Sequence, residues 1–291
     1  MLRGYNIKHA MLLVGLCIAA LPINANARVF AATLEQADWL VTSTRLRCEL
    51  QQVIPQFGHV RFVHAAGGIL RFEVKADNPY HKGVQAELFS VPPGWRTDLK
   101  IEHMGKVAMA GRSTLIRLDR SMAQQLLFEL QGGSQPTFYF TDIADRQKRT
   151  EVVVSPAKFQ DALAEFESCL KQLEPRGFYH LKKTILDYSA GGELPTEKIE
   201  ASIDKIVRYL DIDTSIRQIE VSGHSDIYGK KCARRDLSKN RAQHVIDYLL
   251  ASGVPRKKMV MTYHAEKKPL TKGRSAKTQR KNRRVEVYLR R

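Results

Sequence analysis

The chain has 291 residues, of which 47 are Lys or Arg, 30 are Asp or Glu and 43% are hydrophobic. That length and hydrophobic share allow about two packed domains and exclude a disordered or low-complexity chain. The formal net charge of +17 is concentrated late in the chain: residues 28–175 carry 18 basic and 17 acidic side chains, residues 176–291 carry 27 and 13.

The first segment reads as an export signal. Arg3 and Lys8 precede an apolar run from Met11 to Leu21, and Ala25-Asn26-Ala27 offers small residues at the two positions a signal peptidase reads. Cleavage is expected after Ala27. The run is shorter than the roughly 20 apolar residues of a permanent anchor. Cys17 follows Leu16, where a lipidation site needs a small residue. Export argues against nucleic acid as the partner of the basic region. Cell-wall carboxylates and lipid head groups remain as anionic candidates. Export also implies an oxidising compartment and a disulfide. Cys48, Cys169 and Cys232 remain after cleavage, which allows one bridge in three possible pairings and one free thiol.

From Val29 to about Ser155 the chain reads as strand and turn. Val60–Val63, Leu70–Val74, Thr137–Phe140 and Glu151–Val154 are short and rich in β-branched or aromatic residues. Gly67-Gly68, Pro92-Pro93-Gly94 and Gly132-Gly133 punctuate them. Ser121 to Leu130 is the one helix expected here, with Met122, Leu126 and Leu130 four apart. Trp95, beside the Pro-Pro-Gly turn, is expected to pack inward, because an indole buries a large area. Pro156 to Leu173 changes period. Phe159, Leu163, Phe166 and Leu170 mark an amphipathic helix expected to pack on the β-rich domain. Pro175 and Gly177 set the expected boundary between a domain at 28–174 and one at 175–291.

After the boundary the period alternates. A strand is expected at Gly177–Tyr188, a turn at Gly191-Gly192 and a helix at Pro195–Leu210 with Ile199, Ile203, Val207 and Leu210 on one face. A strand at Ile216–Ser222, a loop at Gly223–Arg235 and a helix at Leu237–Ala251 follow, with Gly253 just past the helix end. Strands at Met259–Tyr263 and Val285–Leu289 flank a basic, polar loop, Lys267–Lys281. The order is βαβαββ, an α/β layer domain. The whole is an α+β chain of two domains, β-rich first.

Three short blocks stand in the last third. They are Gly223-His224-Ser225-Asp226-Ile227-Tyr228-Gly229, Leu237-Ser238-Lys239-Asn240-Arg241-Ala242, and Asn282-Arg283-Arg284-Val285-Glu286-Val287. Their residue types suit a zwitterionic ligand. A carboxylate receives an ammonium, a guanidinium fork grips a carboxylate, and N–H groups at a helix start hold a second one. In order and at this spacing the blocks resemble the OmpA-like peptidoglycan-binding domain over about Gly177 to Arg291. That resemblance implies that Asp226 and Arg241 hold the diaminopimelate of the wall's stem peptide, with Ser225, Asn282 and Arg283 beside them. If the two were merely structural, Asp226 and Arg241 would pair with each other. The chain departs from the family at Arg234 and Arg235, where a polar Asn is common. It departs again at Thr262-Tyr263-His264-Ala265, where Gly-Tyr-Gly is usual, and it lacks a glycine just before Asn282, the nearest being Gly273.

The N-terminal half carries Cys48-Glu49-Leu50, Ile54-Pro55-Gln56-Phe57-Gly58, Pro92-Pro93-Gly94-Trp95-Arg96, Gln135-Pro136-Thr137-Phe138 and Phe159-Gln160. This order resembles the MotY family of periplasmic flagellar proteins. The resemblance implies a T-ring component with a Cys48–Cys169 disulfide and a free Cys232. Its partners would be peptidoglycan, a MotX-like protein, the flagellar basal body and the stator B subunit. A generic OmpA-like envelope anchor shares the wall-binding half but not the motor. No G-x-S-x-G elbow or Gly-rich phosphate loop is present, and His224, Cys232 and His244 match no common zinc spacing. No catalytic residue, cofactor or metal is therefore expected.

Overall fold

A computed structural model of the chain describes residues 27–78, 85–110, 114–141 and 149–291. The expected export segment as far as residue 26 lies outside the described residues.

The first domain runs β1 (Arg28–Phe30), β2 (Trp39–Thr44), β3 (Arg47–Ile54), β4 (Gly58–Ala65), β5 (Arg71–Ala76), β6 (Gln85–Val91), β7 (Glu102–Ala108), β8 (Thr114–Leu118), α1 (Arg120–Gln131), β9 (Gln135–Thr141), β10 (Arg149–Val153) and α2 (Phe159–Gln172). Two five-stranded sheets form, β1-β10-β9-β6-β7 and β2-β3-β4-β5-β8. Alternation along β3, where every second residue is buried, turns one face inward. Phe62 and Phe72 of one sheet and Phe138 of the other share a single core, the last two rings stacked at 6.1 Å. Each such buried ring stabilises the fold by about 2–3 kcal/mol. Buried Gln52 reaches across to the Ser155 backbone, donating to its carbonyl (3.0 Å) and accepting from its N–H (2.9 Å).

The amphipathic helix expected before Leu173 is α2, and its face of Phe159, Leu163, Phe166 and Cys169 joins this core. Cys169 is bonded to Cys48 of β3, closing a 121-residue separation, and Cys232 is free and exposed. Trp95 does not pack inward: it is 80% exposed. Its Pro-Pro-Gly neighbourhood forms an irregular segment between β6 and β7, exposed from Gly94 onward.

The second domain runs α3 (Phe178–Leu181), β11 (Lys183–Asp187), α4 (Glu197–Ile212), β12 (Gln218–His224), α5 (Lys231–Ala251), β13 (Met259–Tyr263), α6 (Ala276–Asn282) and β14 (Arg284–Arg290). Its sheet has the order β11-β14-β12-β13. β12 and β13 are parallel, and β14 runs antiparallel to both neighbours. Ile199, Ile203 and Ile206 of α4 and Val245, Ile246 and Leu249 of α5 meet Val221, Val285 and Val287 of the sheet in a second core.

Three expectations change. The strand expected from Gly177 begins only at Lys183, after one helical turn, α3. The second long helix starts at Lys231, six residues before Leu237, because its first two turns are polar and show no apolar period. The loop at Lys267–Lys281 ends in α6, capped by the Ser275 hydroxyl, which accepts from the Thr278 N–H at 3.2 Å. This helix buries Gln279 and Asn282 rather than apolar residues, so hydrophobic periodicity could not reveal it.

Candidate functional site

The ends of β11, β12 and β14 and the starts of α4 and α5 converge on one corner of the second domain. Gly223, at the end of β12, lets α5 approach. A Cβ there would stand 1.8 Å from the Ser238 carbonyl oxygen. Ser238 Oγ in turn accepts from the Ala265 N–H (3.2 Å), and the Ser225 N–H donates to the Ala265 carbonyl (3.0 Å). Ser225 is thereby buried, its hydroxyl donating to the Asp226 carbonyl at 3.1 Å.

Asp226 does not pair with Arg241. Its Oδ2 accepts from Arg283 Nη1 at 3.0 Å, and its Oδ1 accepts from the Tyr228 N–H at 3.2 Å. Arg283 arrives beside it because β14 lies antiparallel to β12, with Arg284 opposite His224.

Arg241 lies about three turns into α5, not one, and is 0% exposed. Its Nε donates to the Gly192 carbonyl (2.7 Å), Nη1 to that of His224 (3.2 Å) and Nη2 to that of Ser189 (3.2 Å). The guanidinium carbon stands 4.9 Å from the centre of the Tyr188 ring. Burial lowers the Arg241 pKa to about 10, against the favourable fields of Tyr188 and Asp226, so it stays charged at neutral pH. The same burial raises the Tyr188 phenol to about 12. Arg241 thus ties the β11–α4 turn to the end of β12.

Asn282 ties down another loop. Its Oδ1 accepts from the N–H groups of Leu270 (2.9 Å) and Thr271 (3.1 Å), and its Nδ2 donates to the Thr271 carbonyl (3.0 Å). Gln279, which sequence reasoning missed, bridges the same loop to the Asp226 loop. It donates to the Gly273 carbonyl and accepts from the Ile227 N–H at 3.1 Å. The signal for Gln279 was its place one turn before Asn282, on one helix face.

A cleft of about 380 Å³ opens in front of this frame, lined by Tyr188, Ser189, Thr196, Lys198, Arg280 and Arg283 among others. Three cations, one carboxylate (Asp187) and several hydroxyls line it, and Asp226 joins it through Arg283. The arrangement can grip a carboxylate at Arg283, Arg280 or Lys198, and can offer the Asp226 carboxylate to an ammonium. An ionised carboxylate has about four acceptor positions, of which two are used here. Among the described residues no group of three or more His, Cys, Asp or Glu side chains is placed to hold a metal ion.

A family model described as the MotY N-terminal domain matches residues 30–175, half of the chain. The chain belongs to the MotY family. A sodium-type flagellar protein MotY from Vibrio parahaemolyticus is 27% identical to this MotY-family chain over 285 residues, covering 94% of this chain and 96% of the relative. A second family model, the OmpA family, matches residues 191–283 and so contains Asp226, Arg241, Asn282 and Arg283. Outer membrane protein A of Serratia odorifera is 31% identical over 121 residues, 38% of this chain and 50% of the relative. Among solved structures, the peptidoglycan-associated lipoprotein of Burkholderia pseudomallei is 21% identical and covers 36% of this chain and 89% of its own, with a TM-score of 0.35. The C-terminal domain of Helicobacter pylori MotB is 19% identical and covers 37% and 84%, also at 0.35.

Proposed function

We propose that this MotY-family chain is an exported, periplasmic component of the flagellar motor that holds peptidoglycan non-covalently through its second domain. The observation that carries the reading is the basic cleft backed by the Asp226–Arg283 pair, inside the segment that matches the OmpA family. The diaminopimelate of a stem peptide has an ammonium and a carboxylate on one carbon. Asp226 would take the first and a cleft guanidinium the second, by charge-assisted hydrogen bonds. Arg283 and Arg280 are the guanidinium groups that line the cleft. Arg241 keeps N–H donors beyond those on its three carbonyls, and a ligand would reach them only if the Ser189–Gly192 turn moved aside. Ser225 and Asn282 hold the two loops in register.

The first domain, at 28–174, would then join the basal body as part of the T ring, with a MotX-like protein as partner. The second, from 175 onward, would fix the stator units, through their B subunits, to the wall. Among the described residues no helix is long and apolar enough to cross a membrane.

Sedimentation of the mature protein with purified sacculi tests the wall reading. Asp226→Asn and Arg283→Ala are expected to reduce the bound fraction roughly ten-fold each, on the order of one charge-assisted contact, with unchanged far-UV circular dichroism. Undiminished binding by both variants would overturn the assignment. A deletion strain that keeps its filaments but cannot swim supports the motor reading, and normal swimming ends it.

A further inference from the structure

Two departures from the OmpA pattern, Arg234-Arg235 and Tyr263-His264-Ala265, stand 28 or more residues apart in the chain but meet in space. Arg235 and Tyr263-His264-Ala265 line a second cleft, of about 420 Å³, with Lys231, Glu266 and Lys267. Arg235 is placed rather than loose. Its guanidinium lies over the Tyr263 ring at 5.6 Å and donates to the Tyr263 hydroxyl at 3.3 Å. The one acid in the lining is already neutralised: Arg234 grips both oxygens of Glu266 at 3.1 and 3.0 Å. The cleft therefore presents Lys231, Arg235 and Lys267 with no free countercharge.

The local sequence disfavours this arrangement unless an anion is bound. α5 begins here, with Lys230 at its cap making no side-chain bond and no acid in its first turn. Positive charge at a helix start opposes the helix dipole. Charged positions that break a local rule without a folded-state compensation are the ones to read as functional. Arg234 supplies what structural support the segment needs, donating to the carbonyls of Ile227 and Gly229 at 2.9 Å each. That leaves Lys231 facing the cleft and Arg235 held there by Tyr263 alone.

One loop links the two clefts. In Ser225–Gly229, Asp226 holds Arg283, which lines the first cleft, and Ser225 bonds Ala265, which lines the second.

We infer that the cleft of Lys231, Arg235, Tyr263 and Lys267 is a second anion site, which takes a further carboxylate of the same wall polymer. The inference rests on the reading of the first cleft as a peptidoglycan site. A polymer that presents a carboxylate on every stem peptide would then be held at two points, and the gain would come from effective concentration rather than from a stronger single contact.

The test compares two probes on the full mature chain: a soluble muropeptide with one stem peptide, and intact sacculi. The Lys231→Ala/Arg235→Ala variant is expected to bind sacculi roughly ten-fold more weakly, with a shallower dependence on salt. It should bind the one-stem muropeptide as the parent does. Asp226→Asn should lose both. If the double variant binds sacculi like the parent while Asp226→Asn fails, the second site is wrong and the first stands. If the parent binds neither probe, both readings fall together. Binding of the parent to phosphatidylglycerol vesicles, lost in the double variant whose sacculus binding is intact, would overturn the inference in favour of a lipid phosphate.

Discussion

Arg241 and Asp226 divide between them tasks that the motif had suggested they share. Arg241 is wholly enclosed and satisfies three carbonyls from two separate segments, so its removal would leave buried acceptors unpaired. Asp226 uses one oxygen on Arg283 and the other on its own loop. His224, whose carbonyl Arg241 holds, is 3% exposed and neither ring nitrogen has a hydrogen-bond partner. Burial first, then the nearby Arg284, His264 and Lys268, lower its pKa to about 4, while Glu286 acts in the opposite sense. The unfolded chain therefore binds a proton on this side chain between about pH 6.5 and pH 4 that the folded chain refuses. Stability is full above pH 6.5 and falls as pH drops through that window, by up to about 3 kcal/mol from this group. His59 and His264, also lowered, act with the same sign. Asp213 and Glu286, held near 2 by their partners against the cost of burial, matter only below the ordinary carboxylate range. Thermal unfolding of His224→Phe should show a flatter midpoint between pH 6.5 and 4.5 than the parent. An unchanged slope would reject His224 as a source.

At the scale of elements, the site depends on how closely α5 lies against β12. Only a glycine at 223 permits it, since a Cβ would press into the Ser238 backbone and the Ala242 methyl. Gly223→Ala should destabilise the domain by about 2–3 kcal/mol, the scale of overpacking, measured by urea unfolding. It should also loosen the Ser225–Gly229 loop and weaken sacculus binding. The helices α4 and α2 were legible because their apolar faces repeat at three and four residues. The start of α5 and all of α6 were not. Residues 231–236 hold five polar or charged side chains beside Ala233, and α6 buries amides, so neither has an apolar stripe to read.

For the whole molecule, the disulfide between β3 and α2 closes most of the first domain. In the chain-entropy model a loop of this length contributes about 4–5 kcal/mol by constraining the unfolded state. Replacing Cys48 and Cys169 by Ser should lower unfolding stability by a comparable amount, whereas Cys232→Ser, at an exposed position, should leave it unchanged. The two domains touch at the junction. Glu174, the last residue of the first domain, is tied back onto it: its N–H donates to the Arg45 carbonyl at 2.9 Å and the two side chains form an ion pair. Leu46 packs against the second core, and Gly177 lies so close to the Ala66 carbonyl that a Cβ would meet it at 2.1 Å.

By itself the sequence determined the two-domain plan, both helices and four strands of the first domain, the long helices and the strands of the second, and the blocks that frame the site. Those features are local: apolar periodicity, turn residues and motif spacing act over a few residues at a time. Only the tertiary structure decided that Asp226 pairs with Arg283 rather than Arg241, that Arg241 is enclosed, and that Trp95 faces outward. It alone brought Arg235 to Tyr263. The reason is that β14 returns antiparallel beside β12 and β13 lies parallel on its other side, so that residues tens of positions apart meet where the strands end.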